Sequence, residues 1–304
     1  MDEQPTSISI ITKVSDFYDK NHRSLMVVTF VLLLFFLGVL GYSKLTTGEF
    51  IGKDVSLTGG LLITIKTDQA IDTQNLAQQL ESTLGVSTNV KSLRTVSGGS
   101  IGYSIELEKV SSEDALNAIR QATGLPLESG SYTIEEQSAT FGNSFWQSSL
   151  KALIIAFVFM SIVVFAYFRV PIPSAAIVVA AFSDIVGTVA VLNLLGVKLS
   201  IGGVAALLML IGYSVDTDIL LSTRLLKYHE GSLRDRIHSS IKTGLTMQFT
   251  AMAALGALWI LTPAAILKQI ALILIIGLVF DMLNTWIQNV GILRWYIETK
   301  GVGK

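Results

Sequence analysis

The sequence predicts an α-helical polytopic membrane protein of six transmembrane helices, with one α+β domain set outside the membrane between helices 1 and 2. Three observations carry that class. The 304 residues are 51% hydrophobic and only 15% charged, with a mean hydropathy of +0.59, far more apolar than a domain whose surface meets water. Six stretches reach the roughly 20 apolar residues that span a bilayer, at about 25–43, 149–168, 174–195, 200–223, 244–262 and 269–291. Between the first two lies a long polar segment whose periodicity alternates between strand and helix.

Taken in order, residues 1–24 form a cytoplasmic segment and 25–43 the first span. That span reads as an uncleaved anchor: its apolar run exceeds the roughly 7–15 residues of a signal-peptide core, and no small-x-small cleavage pattern follows. Twelve basic residues fall on one side: Lys13, Lys20, Arg23, Arg169, Arg224, Lys227, Arg234, Arg236, Lys242, Arg294, Lys300 and Lys304. The opposite short loops hold Lys198 and Lys268. Basic loops stay inside, so both termini, including the tail 292–304, read as cytoplasmic in a multi-pass cell-membrane protein. With 22 basic and 23 acidic residues the net charge of −1 gives no reason to expect nucleic acid. The absence of cysteine excludes disulfides, thiolate metal sites and a cysteine nucleophile.

Residues 44–148 make up the outer segment. "LLITIKT" (61–67) reads as a strand, "DTQNLAQQLESTLG" (72–85) as a helix, "TNVKSLRTV" (88–96) and "GSIGYSIELE" (99–108) as strands turning at Gly98-Gly99, "SSEDALNAIRQATG" (111–124) as a serine-capped helix, and "SYTIEEQS" (131–138) as a last strand. The order β-α-β-β-α-β is that of the ferredoxin-like split unit. It contains no histidine and no nucleophile–base pair, which points to a docking or lever domain. Ahead of it "IGKDVSLTGG" (51–60), with Asp54, Gly59 and Gly60, marks an entry turn.

Four aspartates fall inside the spans: Asp184, Asp216, Asp218 and Asp281. At roughly 2.5–3.5 kcal/mol each, facing lipid would cost on the order of 10 kcal/mol. They must face one another, a partner or water. At about 1.5 Å per residue from the cytoplasmic ends, Asp184 and Asp281 lie about 15 Å deep, Asp216 about 10 Å and Asp218 about 7 Å. Asp281, Asn284 and Gln288 follow helical spacing as one stripe, and Thr246, Gln248 and Thr250 add polar groups on the fifth helix. Asp216 and Asp218 point about 200° apart. Depth favours Asp216 for the seam with Asp184 and Asp281, leaving Asp218 an interfacial, snorkelling or partner-facing position. Gly187, Gly202, Gly203 and Gly212 would let the helices approach closely.

No serine–histidine or metal-ligand constellation is present, and His22, His229 and His238 fall in cytoplasmic, solvated segments. No catalysis, metal or cofactor is expected. An intramembrane aspartyl protease would carry Gly-x-Gly-Asp, whereas the acid here follows Gly212-Tyr213-Ser214-Val215.

"GYSVDTDILLSTR" (212–224), "FGNSFWQSSLKALIIAFVFMSIVVFAYFRVPIPSAA" (141–176), "SDIVG" (183–187) and "GKDVSLTGG" (52–60) together resemble the SecF type of the SecD/SecF family, in its archaeal form, within the resistance-nodulation-division superfamily. The resemblance implies an accessory of protein export that pairs with a second six-helix protein, SecD, and works with the SecYE channel on translocating polypeptide across the lipid bilayer, using the proton gradient in bacterial relatives. It also implies a coupling aspartate in the fourth helix after Tyr213-Ser214, where this sequence has Asp216 and Asp218; the bacterial aspartate falls at Thr217. A bacterial arginine at the start of the fifth helix corresponds to Lys242, and Arg224 closes the motif. A small-molecule or lipid exporter half-unit of the same superfamily would share the layout.

Overall fold

The computed structural model describes residues 6–94, 100–108, 110–128, 130–228, 230–262 and 264–300. The first helix, α1 (Thr6–Thr47), is kinked at Asn21, where the backbone leaves helical geometry, and its second part runs past the expected end at 43. A four-residue turn of helix, α2 (Val55–Thr58), follows, capped by the Asp54 side chain and closed by Gly59 with φ +84°. Then come β1 (Gly60–Ile65), α3 (Thr73–Leu84), β2 (Thr88–Arg94), β3 (Ser100–Leu107), α4 (Ser112–Thr123) and β4 (Tyr132–Gln137).

The four strands form one sheet in the order β2-β3-β1-β4, every neighbouring pair antiparallel. Both helices begin at side-chain caps, Asp72 and Ser111, and end at left-handed Gly85 and Gly124, the asymmetry that caps orphan N–H groups at one end and carbonyls at the other. Leu61, Ile63, Ile65, Ile105 and Leu107 from the sheet close on Leu76, Leu80 and Ile119 from the helices. The expected turn at Gly98-Gly99 and the residue His229 lie outside the described residues.

Gly60 sits where no other residue fits. Its φ is +145°, and a Cβ there would lie 2.3 Å from the Leu107 carbonyl oxygen. Entry and exit of the sheet are adjacent, Gly60 pairing with Gln137, and both are rooted on the same helix. α5 (Ala139–Phe168) follows Ser138 directly, ten residues before the expected 149. Gly142 in its first turns lets α2 pack against it, a Cβ there falling 2.6 Å from the Leu57 carbonyl oxygen.

Among the described residues six helices are long and apolar enough to cross a membrane. They are Tyr18–Thr47 within α1, Phe141–Phe168 within α5, α6 (Pro171–Leu194), α7 (Ile201–Leu226), α8 (Leu233–Leu261) and Ala265–Lys300. The last is compound: α9 (Ala265–Leu283) passes through a π-helical segment, Asn284–Asn289, into α10 (Val290–Lys300). α6 and α7 are the enclosed helices, with 67% and 56% of their apolar stretch buried against 11% for α5 and α8. Close packing uses glycine where expected at three of four positions: a Cβ on Gly187 would meet the Phe280 ring at 2.7 Å, on Gly202 the Ile266 side chain at 2.5 Å, and on Gly203 the Ile273 side chain at 3.0 Å. Gly212 is the exception, with nothing within 4 Å; it lies on the exposed flank of α7.

Candidate functional site

Three of the four membrane aspartates meet inside the bundle. Asp184 on α6, Asp218 on α7 and Asp281 on α9 are 1%, 0% and 0% exposed. Asp184 accepts from Ser214 Oγ at 2.5 Å and from Asn284 Nδ2 at 2.7 Å. Asp281 accepts from Gln248 Nε2 at 2.6 Å and from Thr217 Oγ1 at 3.0 Å. Asp218 accepts from Asn289 Nδ2 at 2.6 Å. The Trp286 indole donates to Gln248 Oε1 at 2.7 Å, which turns the amide so that its N–H₂ reaches Asp281. Such outer partners fix the orientation of the groups that touch the acid.

Thr285 joins two of the acids. Its Oγ1 lies 2.9 Å from Asp218 Oδ1 and 2.9 Å from Asp281 Oδ1. A hydroxyl has one proton to donate, so it serves one carboxylate and can accept only from a protonated second carboxyl.

The π-helical segment makes this possible. Its wider turn buries Asn284, Thr285, Trp286, Gln288 and Asn289 together, so Asn284 serves Asp184 while Thr285 and Asn289 serve Asp218. Further buried polar atoms find no protein partner among the described residues: Asp218 Oδ2, Ser222 Oγ, Asn289 Oδ1 and both polar atoms of Gln288. Groups of this kind are ordinarily satisfied by water or an ion.

The structure reverses the expected placement of the two acids on α7. Asp216 is exposed on the flank of the helix, with Met209, Gly212 and Tyr213 on the same stripe, and Asp218, expected near the interface, is enclosed. Angle, not depth, decides: Ser214, Thr217, Asp218, Leu221 and Ser222 share the buried face. That face was readable as small polar residues at i, i+3, i+4 and i+8. Thr246 and Thr250 also leave the seam. Two residues either side of Gln248 on a helix, they point away from its face, are exposed, and bond their hydroxyls to Lys242 and Thr246 carbonyls. Lys242 is exposed, so it does not enter the seam. Arg224 donates to Ser239 Oγ at 2.8 Å and ties α7 to α8. Asn284 pairs with Asp184, not with Asp281 as its spacing suggested. Thr285, Asn289, Trp286 and Ser222 were missed by the sequence reading; Asp281, Thr285 and Asn289 at i, i+4, i+8 were the available signal.

The entry turn connects the sheet to the bundle. Asp54 Oδ1 accepts from Ser56 N at 2.9 Å and from Ser56 Oγ at 2.5 Å. Ser56 Oγ in turn accepts from Ile201 N, the first residue of α7, at 3.1 Å. Asp54 N donates to the Leu199 carbonyl at 3.0 Å, and Leu199 N to the Gly52 carbonyl at 2.7 Å. Burial pushes the Asp54 carboxyl above the usual carboxylate range, against the hydrogen bonds from Ser56.

Comparison with known proteins agrees with this architecture. Residues 122–299 match the family described as "Protein export membrane protein SecD/SecF, C-terminal". The chain is 39% identical to a protein-export membrane protein SecF of Pyrococcus furiosus, covering 84% of each chain. It is 37% identical to one of Methanocaldococcus jannaschii, covering 91% of this chain and 96% of the relative. Its fold matches the crystal structure of SecDF, a translocon-associated membrane protein from Thermus thermophilus, with a TM-score of 0.72 at 18% identity. That match covers 91% of this chain and 38% of the other. The chain belongs to the SecD/SecF family of protein-export membrane proteins.

Proposed function

We propose that this chain is an accessory subunit of the Sec protein-export machinery, paired with SecD and acting with SecYE on emerging polypeptide, and that an ion gradient, of protons in the first instance, drives it through the Asp184–Asp281–Asp218 seam. In this reading the termini are cytoplasmic, the ferredoxin-like unit within 44–148 is extracytoplasmic and the helices within 149–291 form the coupling bundle. It contains no catalytic step, metal or cofactor.

One observation carries the proposal: the Thr285 hydroxyl midway between Asp218 and Asp281. A carboxylate at this depth is costly unless paired or functional. Adding or removing the proton changes which contacts between α7 and α9 are favoured, and two packings of one bundle can be exchanged that way. α7 is bonded at its far end to the turn that enters the sheet, about 25 Å from Asp218 at 1.5 Å per residue, so a shift of α7 reaches the sheet unit through a short rigid path. One elementary charge crossing 100 mV is worth roughly 2.3 kcal/mol, enough to bias such an exchange.

The exposed stripe of α7 supports the pairing with SecD. Asp216, with no hydrogen bond or ion pair to a described side chain, is too costly to leave against lipid, and a second six-helix subunit would cover it.

The test is export of a reporter protein into proteoliposomes containing the complete complex. Asp218→Asn, Asp281→Asn and Thr285→Val remove the gradient-dependent part of export, while Thr285→Ser keeps it. Wild-type export by all three carboxyl and hydroxyl variants, with the complex intact, would reduce the seam to a packing element.

A further inference from the structure

A second feature stands apart from the acid seam. A cavity of about 430 Å³ opens at the end of the bundle nearest the sheet, under the segment joining α1 to α2. Its walls are Leu150 and Leu153 of α5, Ile185 and Val189 of α6, and Val204 and Leu207 of α7. The roof is held in place: besides the two backbone bonds to Leu199, the Asn193 side-chain N–H₂ donates to the Phe50 carbonyl at 3.2 Å.

The rim is charged. Lys53 Nζ pairs with Glu49 Oε1 at 2.6 Å and lies 5.3 Å from the centre of the Trp146 ring; Lys44 Nζ lies 5.3 Å from the centre of the Phe50 ring. Two ammonium groups against one carboxylate leave one positive charge at the mouth. Aromatic rings and lysines at the end of apolar helices mark the boundary between hydrocarbon and water.

Size, lining and charge select the ligand. The volume lies within the roughly 300–1,000 Å³ of small-molecule sites, which are apolar with a few placed polar groups. A soluble anion would leave the six aliphatic walls unused, and a neutral apolar chain would leave the lysine charge unmatched. We infer that this cavity binds an anionic phospholipid, one hydrocarbon chain between α5, α6 and α7 and the headgroup phosphate against Lys44 and Lys53. Occupancy would brace the joint through which the sheet is attached. The inference does not depend on the export reading.

Native mass spectrometry of the purified full chain, given phosphatidylglycerol, phosphatidylcholine or inorganic phosphate, tests it. The wild-type chain should retain one phosphatidylglycerol about fivefold in preference to phosphatidylcholine, as the roughly 1 kcal/mol of one unmatched lysine charge implies, and retain no inorganic phosphate. Leu153→Trp and, from the opposite wall, Val189→Phe should each fill the cavity and abolish retention without lowering the melting temperature. The double variant Lys44→Gln/Lys53→Gln should keep a lipid but lose the preference. Equal retention by wild type and both filled variants would overturn the proposal, as would lysine-dependent binding of inorganic phosphate alone or an unchanged preference in the double variant.

Discussion

Asp216 and Asp218 stand two residues apart on α7, and the bundle treats them in opposite ways. Asp218 is wholly enclosed, bonded to Thr285 and Asn289. Asp216 is exposed on a stripe with Met209, Gly212 and Tyr213. The glycines repeat the contrast, since Gly277 of α9 takes the Leu210 side chain of α7 into a gap that a Cβ would close to 2.5 Å, whereas Gly212 has nothing within 4 Å. One helix thus presents a buried, packed inner face and an exposed outer one. In the proposed complex the inner face would act within this chain and the outer face would meet the second subunit.

The strongest way to break that contrast is to neutralise each acid in turn. Asp218→Asn should lower gradient-driven export about tenfold or more, where each tenfold is about 1.4 kcal/mol, with the partner still bound. Asp216→Lys should instead lose the partner in a mild-detergent pull-down while leaving the melting temperature of the isolated chain unchanged. If both variants fail in the same assay, the two faces are not distinct.

Packing gives the next largest effect. A Cβ at Gly244 would lie 2.1 Å from Trp286 Cζ2, so Gly244→Val should destabilise by about 1–3 kcal/mol, the usual cost of overpacking. Gly212→Val should leave thermal unfolding in detergent unaltered and weaken partner capture. Thr285→Val follows, at about 0.6–1.7 kcal/mol for a lost hydrogen bond within a membrane, and Thr285→Ser should restore it.

The smallest effect lies at the entry turn. Because burial raises the folded-state value of Asp54, its contribution to stability is fully present below the ordinary carboxylate range. That contribution is lost as pH rises through the raised value. Asp54→Asn should flatten this part of the stability-against-pH curve measured by thermal unfolding.

Much of this molecule could be read from its sequence because local periodicity carried it. The strands and helices between 60 and 137 follow alternation and caps such as Asp72 and Ser111, and the six long helices follow apolar length. The positions of Asp184, Asp281, Asn284 and Gln248 inside the bundle were legible from the cost of a polar group in hydrocarbon. The rotation of α7 is legible only from the face shared by Ser214, Thr217, Asp218 and Ser222; depth along the helix points to the wrong acid. The π-helical segment was not legible at all. A register change in backbone hydrogen bonding is set by what surrounds Asn284–Asn289, and its residues alone look like ordinary helix. Within it Thr285 and Asn289 bond Asp218 while Asn284 bonds Asp184.

In the proposed mechanism the enclosed acid, and not its exposed neighbour, exchanges the proton. Isotope-edited infrared spectroscopy of the reconstituted complex, following the carboxyl C=O stretch with pH, measures that exchange at the group itself. A titrating carboxyl band should disappear in Asp218→Asn and persist in Asp216→Asn. A band that persists in Asp218→Asn and vanishes in Asp216→Asn would contradict it.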